Sequence, residues 1–375
     1  MLFGLLLAAL IVEIGVRLGY GLLPQGLQIV LRDVRITPFT EARIVPPAIW
    51  QPDNDYQTIT QPGLQNVTAA GSPEVTFPVT TYSWFGGRVG FRSPQPTDGR
   101  LDGAVVGDSF SFCFTENAAC WVTLLSQKTG KNFANLGQPV TGSLSHAQIF
   151  KTFALPVKPQ VVIWQFFGND FNDDYGLAQL QGTAQTPPDP DAQAAALPNA
   201  PLAIWLREHS VIYATISALL RRNTGVDQFI DPYHDTVQPG NIDLWYGQPY
   251  VQKAFDLSNP RNLEGQKRSE AAILETKALV EGYGGKFVMI LMPTKEEIFS
   301  NITAVQMGQS AVDGIAAPRR QMIEFCKAHA ILYLDLYDAL RAQADQGVQG
   351  YFARDMHLNA QGNEAVAAAV AAFLK

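Results

Sequence analysis

A chain of 375 residues, 47% of them hydrophobic, is long enough to bury a full core as one large domain or two. Its formal net charge of -7, with no block of Lys or Arg, excludes a nucleic-acid surface, because phosphate binding needs clustered cations. Small molecules, glycans and proteins remain as partners.

The first element is an apolar run from Leu2 to Val12, interrupted by Glu13 and Arg17, an i,i+4 pair able to neutralise itself on one helix face. A helix from Leu2 to Leu23 would be about 33 Å long at roughly 1.5 Å per residue, so residues 1–24 are expected to form a single-pass membrane anchor. A cleaved signal peptide fits less well, since neither a basic leader nor an Ala-x-Ala-like site is visible. The alternative is an apolar helix docked on the rest of the protein. Arg17, Arg32 and Arg35 follow the run and, by charge alone, favour a cytoplasmic location for that side. Residues 25–100 are rich in Pro, Gly and Thr with short β-like runs, and read as an irregular or β-rich extension.

From residue 101 the pattern alternates between strands and helices, which implies parallel βαβ units and an α/β class. Strands are expected at Ala104 to Val106, Phe133 to Leu136, Gln160 to Phe167, Lys286 to Met292 and Ile331 to Leu334, short runs of the kind buried on both faces of a parallel sheet. Helical patterns fall at Ala118 to Thr129, Ser143 to Leu155, Glu264 to Tyr283, Ala311 to Ala328 and Gln361 to Leu374. The expectation is a three-layer α/β/α sandwich over residues 101–375. It is interrupted between the third and fourth strands by an insertion, residues 176–260. There "TAQTPPDPDAQAAALPNAP" has the composition of a mobile loop and "LAIWLREHSVIYATISALLRRN" reads as an amphipathic helix, together a lid or substrate platform.

Ligands of open parallel sheets bind beyond the carboxyl ends of the strands. The first strand delivers Gly107-Asp108-Ser109, the second Gly137 to Ser143, the third Gly168-Asn169-Asp170, and the stretch before the last helix "RDMHLNAQG" with Asp355 and His357. A serine hydroxyl is a weak nucleophile and needs an imidazole to take its proton, and the imidazole needs a carboxylate to fix its tautomer. Amide donors facing the developing oxyanion complete the set. Ser109, His357, Asp355 and Asn169 fill those roles.

Residues 101–375, with the preceding "VGFRSP", resemble the SGNH/GDSL hydrolase superfamily and its bacterial membrane-anchored members. The resemblance implies a flavodoxin-like sheet, Ser109 as nucleophile, Asn169 as an oxyanion donor, and Asp355 orienting His357 as general base. The last block has the form "D-x-H-L-N-x-x-G", with Gly362 opening the final helix. Two departures stand out. Val140 occupies the position of the second-block glycine, and the next glycine is Gly142, so the second oxyanion N–H comes from Val140 or from Gly142. A β-branched residue tolerates positive φ poorly. Phe167 also stands where the third block begins. The resemblance implies an acyl or acetyl esterase acting on an ester-bearing small molecule or an acylated cell-surface glycan, with its catalytic domain outside the cytoplasm. An O-acetyltransferase with the same triad and a silent glycan-binding or assembly protein are the alternatives. No cofactor and no metal are called for.

Each block also has a plainer reading. Gly-Asp-Ser is a common turn, and Asn169 to Asp174 could be a helix cap, a solvated acidic loop or a weak calcium site. His146 is expected to be structural, Lys295 and Glu296 in "MPTKEEIF" to form a surface salt pair, and Cys326 to be a buried small hydrophobe. Asn117 can start the next helix at Ala118, leaving a loop that lets Cys113 and Cys120 meet as a disulfide or remain two free thiols.

Overall fold

In the computed structural model, which describes residues 2–24, 49–72, 74–97, 99–188, 209–220 and 227–375 together with isolated positions 27, 30, 31, 34, 202, 205 and 206, the chain opens with an apolar helix, Leu2–Leu18. Three antiparallel hairpins follow: β1 (Trp50–Asp53) with β2 (Gln57–Thr60), β3 (Val67–Ser72) with β4 (Val75–Val79), and β5 (Tyr82–Ser83) with β6 (Gly90–Phe91). The five expected strands then form one sheet from β7 (Gly103–Val106), β8 (Phe133–Asn135), β9 (Val161–Phe166), β12 (Lys286–Leu291) and β13 (Leu332–Asp335). All neighbours pair in parallel, in the order β13-β12-β9-β7-β8. The remaining strands, β10 (Tyr233–Val237) and β11 (Ile242–Tyr246), make a hairpin inside the insertion.

Strand periodicity sorts the sheet residues into two cores. Val105, Ile163 and Ile290 point to one face, where they join Trp121, Val366 and Val370 from the flanking helices Trp121–Thr129 and Ala360–Phe373. Ala104, Val106, Val162, Trp164 and Met289 point to the other, with Ile273 and Val280 of the helix Pro260–Gly282 and Met322 and Phe325 of the helix Gln309–Ala328. Helices therefore cover both faces, the α/β/α arrangement the apolar runs imply. Local capping sets the helix starts. Asn259 accepts from Arg261 N and Pro260 follows it, so that helix begins earlier than its apolar period suggests. Asn359 accepts from the amides of Gln361 and Gly362 and opens the last helix.

The amino terminus differs from the expected span. The α-helix stops at Leu18 and a 3-10 turn follows at Tyr20–Leu22, and among the described residues no helix is long and apolar enough to cross a membrane. Glu13 and Arg17 are engaged by the insertion. The Glu13 carboxylate accepts from Arg17, from Ser210 Oγ at 2.5 Å and from the amides of Val211 and Ile212 at 3.0 Å, capping the insertion helix Val211–Leu220, while Arg17 donates to His209 O. Val16, Tyr20 and Leu23 pack there against Val211 and Ala214. Most of the expected mobile loop, 189–200, and the stretch 35–48, with Arg32 and Arg35, lie outside the described residues.

Candidate active site

Gly107 ends β7 because no side chain fits: a Cβ there would sit 2.4 Å from Gln165 Oε1 and 2.5 Å from Ser111 Oγ. The same Gln165 oxygen accepts from Asp108 N at 3.1 Å and Ser111 Oγ at 2.9 Å, so β9 dictates the shape of the turn leaving β7. Asp108 caps the short helix Ser109–Phe112 by accepting from Phe110 N at 2.9 Å. Burial pushes its carboxyl up to about 6, against the pull of the His357 charge. The strand thus ends on a serine fixed at the first position of a helix.

Ser109 Oγ lies 2.7 Å from His357 Nε2, and His357 Nδ1 lies 2.5 Å from Asp355 Oδ1, which also accepts from His357 N at 2.9 Å. Three residues spread over 248 positions therefore form one continuous hydrogen-bonded chain. Burial would raise the Asp355 carboxyl, but the charge and hydrogen bonds of His357, aided by Lys295, hold it below its ordinary value. The imidazole is flanked by Phe114, ring centroids 4.1 Å apart, and by Phe110 at 5.0 Å. Phe110 in turn meets Phe167 at 4.3 Å, which brings the turn after β9 alongside.

Asn169 is 8% exposed, its Nδ2 donating to Asp173 Oδ2 at 3.1 Å and its Oδ1 without a partner among the described residues. Burial drives the pKa of the Tyr250 hydroxyl, which lies within the influence of Asn169, well up. Val140 adopts φ 56° and is 55% exposed, and among the described residues its N–H has no protein acceptor. Gly142 has extended backbone and caps the helix Ser143–Ile149. A Cβ there would lie 2.5 Å from both Asp170 O and Asp174 Oδ1, so only glycine fits.

Several expectations are corrected, those for His146 and Cys326 agree with the structure, and the open pairing of Cys113 and Cys120 is decided. Asp170, Asp173 and Asp174 are buried in the helix Asp170–Leu180 instead of forming a solvated loop. Asp174 accepts from Leu144 N at 2.7 Å and from Ser269 Oγ, and burial pushes Asp173 up to about 7 and Asp174 up to about 8. Among the described residues no three His, Cys, Asp or Glu side chains are grouped to hold a metal ion. Lys295 and Glu296 are each 1% exposed, not a surface pair. His146 is fully buried against Trp164 and Thr141 Oγ1, its pKa pulled down to about 3 by burial, and Cys326 is buried with its thiol pushed up to about 12. Cys113 and Cys120 form a disulfide across the 3-10 turn Asn117–Ala119, with Cys120, not Asn117, preceding the next helix.

Sequence reasoning missed Gln165, Tyr250 and Arg92. Arg92, 1% exposed, donates to the carbonyls of Phe112, Cys113 and Thr115 at 3.1, 2.7 and 2.8 Å and so shapes the loop that carries Phe114. It stands in the "VGFRSP" stretch, the one signal that could have found it.

Residues 251–375 match the family model described as SGNH hydrolase-like domain, acetyltransferase AlgX. The match covers 125 of the 375 residues, so this part of the chain is similar to the SGNH hydrolase-like family. Among solved structures, a GDSL-like lipase from Bacteroides thetaiotaomicron is 10% identical, with 74% of this chain and 88% of that one covered at a TM-score of 0.36. A catalytic mutant of Axe2, an acetylxylan esterase from Geobacillus stearothermophilus, is 12% identical over 73% of this chain and 94% of that one, also at a TM-score of 0.36. No curated protein matches the chain.

Proposed function

We propose that the protein is a serine-dependent esterase that cleaves acyl or acetyl esters, with Ser109 as nucleophile, His357 as general base and Asp355 as its orienting carboxylate. The observation that carries this reading is the hydrogen-bonded chain from Ser109 Oγ through the imidazole to Asp355. In the first step His357 Nε2 takes the hydroxyl proton as Oγ attacks the ester carbonyl carbon. The oxyanion is met by Asn169 Nδ2 and by a backbone N–H of the turn after β8, that of Val140 or that of Gly142, neither of which has a hydrogen-bond acceptor among the described residues. Each such donor contributes about 10²- to 10³-fold in rate. Collapse returns the proton from His357 to the leaving alcohol, and water, activated by the same imidazole, releases the acid.

A second reading, transfer of the acyl group to a sugar hydroxyl in place of water, is favoured by the description of the matching family model, which names an acetyltransferase. The Cys113–Cys120 disulfide supports a location outside the cytoplasm, where such bonds persist.

The test is reaction with a fluorophosphonate probe, compared with Ser109→Ala, followed by turnover of p-nitrophenyl acetate with and without a saccharide acceptor. Probe adduct on the unsubstituted chain and none on the variant supports the nucleophile. Labelling that survives the substitution refutes it, and no labelling of either points to a binding protein that has lost turnover. Acetylated saccharide in place of free acetate selects transfer over hydrolysis.

A further inference from the structure

A buried ammonium must be surrounded by acceptors, and which acceptors it finds indicates what it is for. Lys295 is 1% exposed at the start of the helix Lys295–Ile298, which Thr294 and Glu297 close as a capping box. Its Nζ donates to Ala353 O at 3.2 Å and to Asp355 O at 3.4 Å, and lies 3.9 Å from Asp231 Oδ2. The two nearest acceptors are therefore backbone oxygens of the turn that presents Asp355 and His357, and the carboxylate comes third. Asp231, 3% exposed, belongs to the insertion. Gln248 donates to its Oδ2 at 3.2 Å, and its Oδ1 has no hydrogen-bond partner among the described residues. Glu296 accepts from Gly247 N at 3.2 Å, a further tie to the insertion. Glu74, in the turn between β3 and β4, accepts from Arg354 N and feels the Lys295 charge.

We propose that Lys295 is a positioning residue: it pins the backbone of the Ala353–Asp355 turn so that Asp355 addresses His357, and Asp231 of the insertion is its counter-ion. This rests on the serine esterase reading of the same site. An ion pair serving stability alone has no need of the carbonyls on either side of one particular carboxylate. The arrangement also joins three regions that the parallel sheet leaves unconnected, the N-terminal hairpin, the insertion and the final loop, around one charge. Asp355 is faced by His357 and Lys295, with Asp231 and Glu74 supplying negative charge nearby. Removing the ammonium therefore makes the Asp355–His357 pair easier to protonate, and the two groups respond together.

The experiment compares the full chain with Lys295→Met, Lys295→Gln and Lys295→Arg, reading the pH profile of kcat/KM on p-nitrophenyl acetate. In parallel, proton NMR follows the His357 Nδ1–H signal, assigned by its loss in His357→Gln. Both neutral variants should lower kcat/KM at pH 6 about tenfold with KM changed less than twofold. They should move the acid limb, and the pH at which the NMR signal changes, upward by about one unit, the size expected when a positive charge beside the pair is removed. Lys295→Gln, polar but one bond shorter, removes the charge and the hold on the two carbonyls and serves where Lys295→Met fails to fold, while Lys295→Arg, which keeps both the charge and the donors, should hold the limb near its original place. A limb and an NMR midpoint that stay put in the neutral variants overturn the proposal, whatever happens to thermal stability. If the unsubstituted chain turns over no ester, it is the esterase reading that fails, and the NMR midpoint still decides the role of Lys295.

Discussion

Arg92 offers the sharpest test of how the loop behind Ser109, the proposed nucleophile, is held. It has no carboxylate partner within its hydrogen-bond set: its donors go to the carbonyls of Phe112, Cys113, Thr115 and, more weakly, Pro78, and its guanidinium lies over the rings of Phe77 and Phe112. Burial pulls its pKa down to about 10, which puts the cost of keeping the charge inside at roughly 3 kcal/mol. Against that stand three charge-assisted bonds worth about 1.5–3 kcal/mol each. Arg92→Met removes both sides of the balance and strands the carbonyls, for a net loss of about 3 kcal/mol. For a chain of 375 residues that is a fall in Tm of about 4 °C, since the entropy of unfolding scales with length. The loop also carries Phe114 against His357, so fluorophosphonate labelling of Ser109 should slow by more than the stability loss explains when both are measured well below the new Tm. Calorimetry and a labelling time course on the two proteins suffice. A variant as stable as the parent, labelled at the parent's rate, would refute the view that these carbonyl contacts shape the site.

Three further outcomes follow from the geometry. Val140→Gly should raise Tm slightly, because relief of a left-handed residue gains about 1–2 kcal/mol while glycine gives back about 0.5–1, and an exposed side chain forfeits little packing; a fall of more than about 2 °C would contradict it. Thermal stability should drop by roughly 4–5 °C between pH 6.5 and 8.5. Asp173, Asp174 and Asp231 have folded values of about 7, 8 and 7, so the native chain keeps protons there that the unfolded chain has released, and stability falls as pH rises through that window. His146 acts in the opposite sense only below about 6.5, Asp174→Asn should flatten the slope, and a Tm that climbs over the window would refute it. Alkylation of the native protein should leave Cys113 and Cys120 unmodified until reductant is added, whereas modification without reductant would mean two free thiols.

The sheet was legible because strands buried on both faces are short uninterrupted apolar runs: Lys286 to Met292 and Gln160 to Phe167 were each placed to within one residue at either end. Helix Asp170–Leu180 was not, since Asp170, Asp173 and Asp174 look solvated in sequence and only the packing of Ser143, Leu144 and Ser269 around them shows that they are inside. The blocks around Ser109 and Asp355 were readable as spacing. Gln165 and Lys295 were not, because a strand glutamine and a lysine beside two glutamates carry no local sign of which backbone they hold. The β10–β11 hairpin escaped for a similar reason: its alternating residues are set between segments of insertion composition.

The hydrogen bond between Ser109 and His357 joins residues 248 positions apart, across the full ordering of the sheet. Pairings of such high contact order form late, because the loop entropy must be spent before the contact returns anything. The hydrogen-bonded chain Ser109–His357–Asp355 is therefore completed at the end of folding, after β7 has met both β8 and β9 and after β13 has closed the opposite edge. Until Asp355 and His357 have been synthesised and docked, Ser109 has no imidazole beside it.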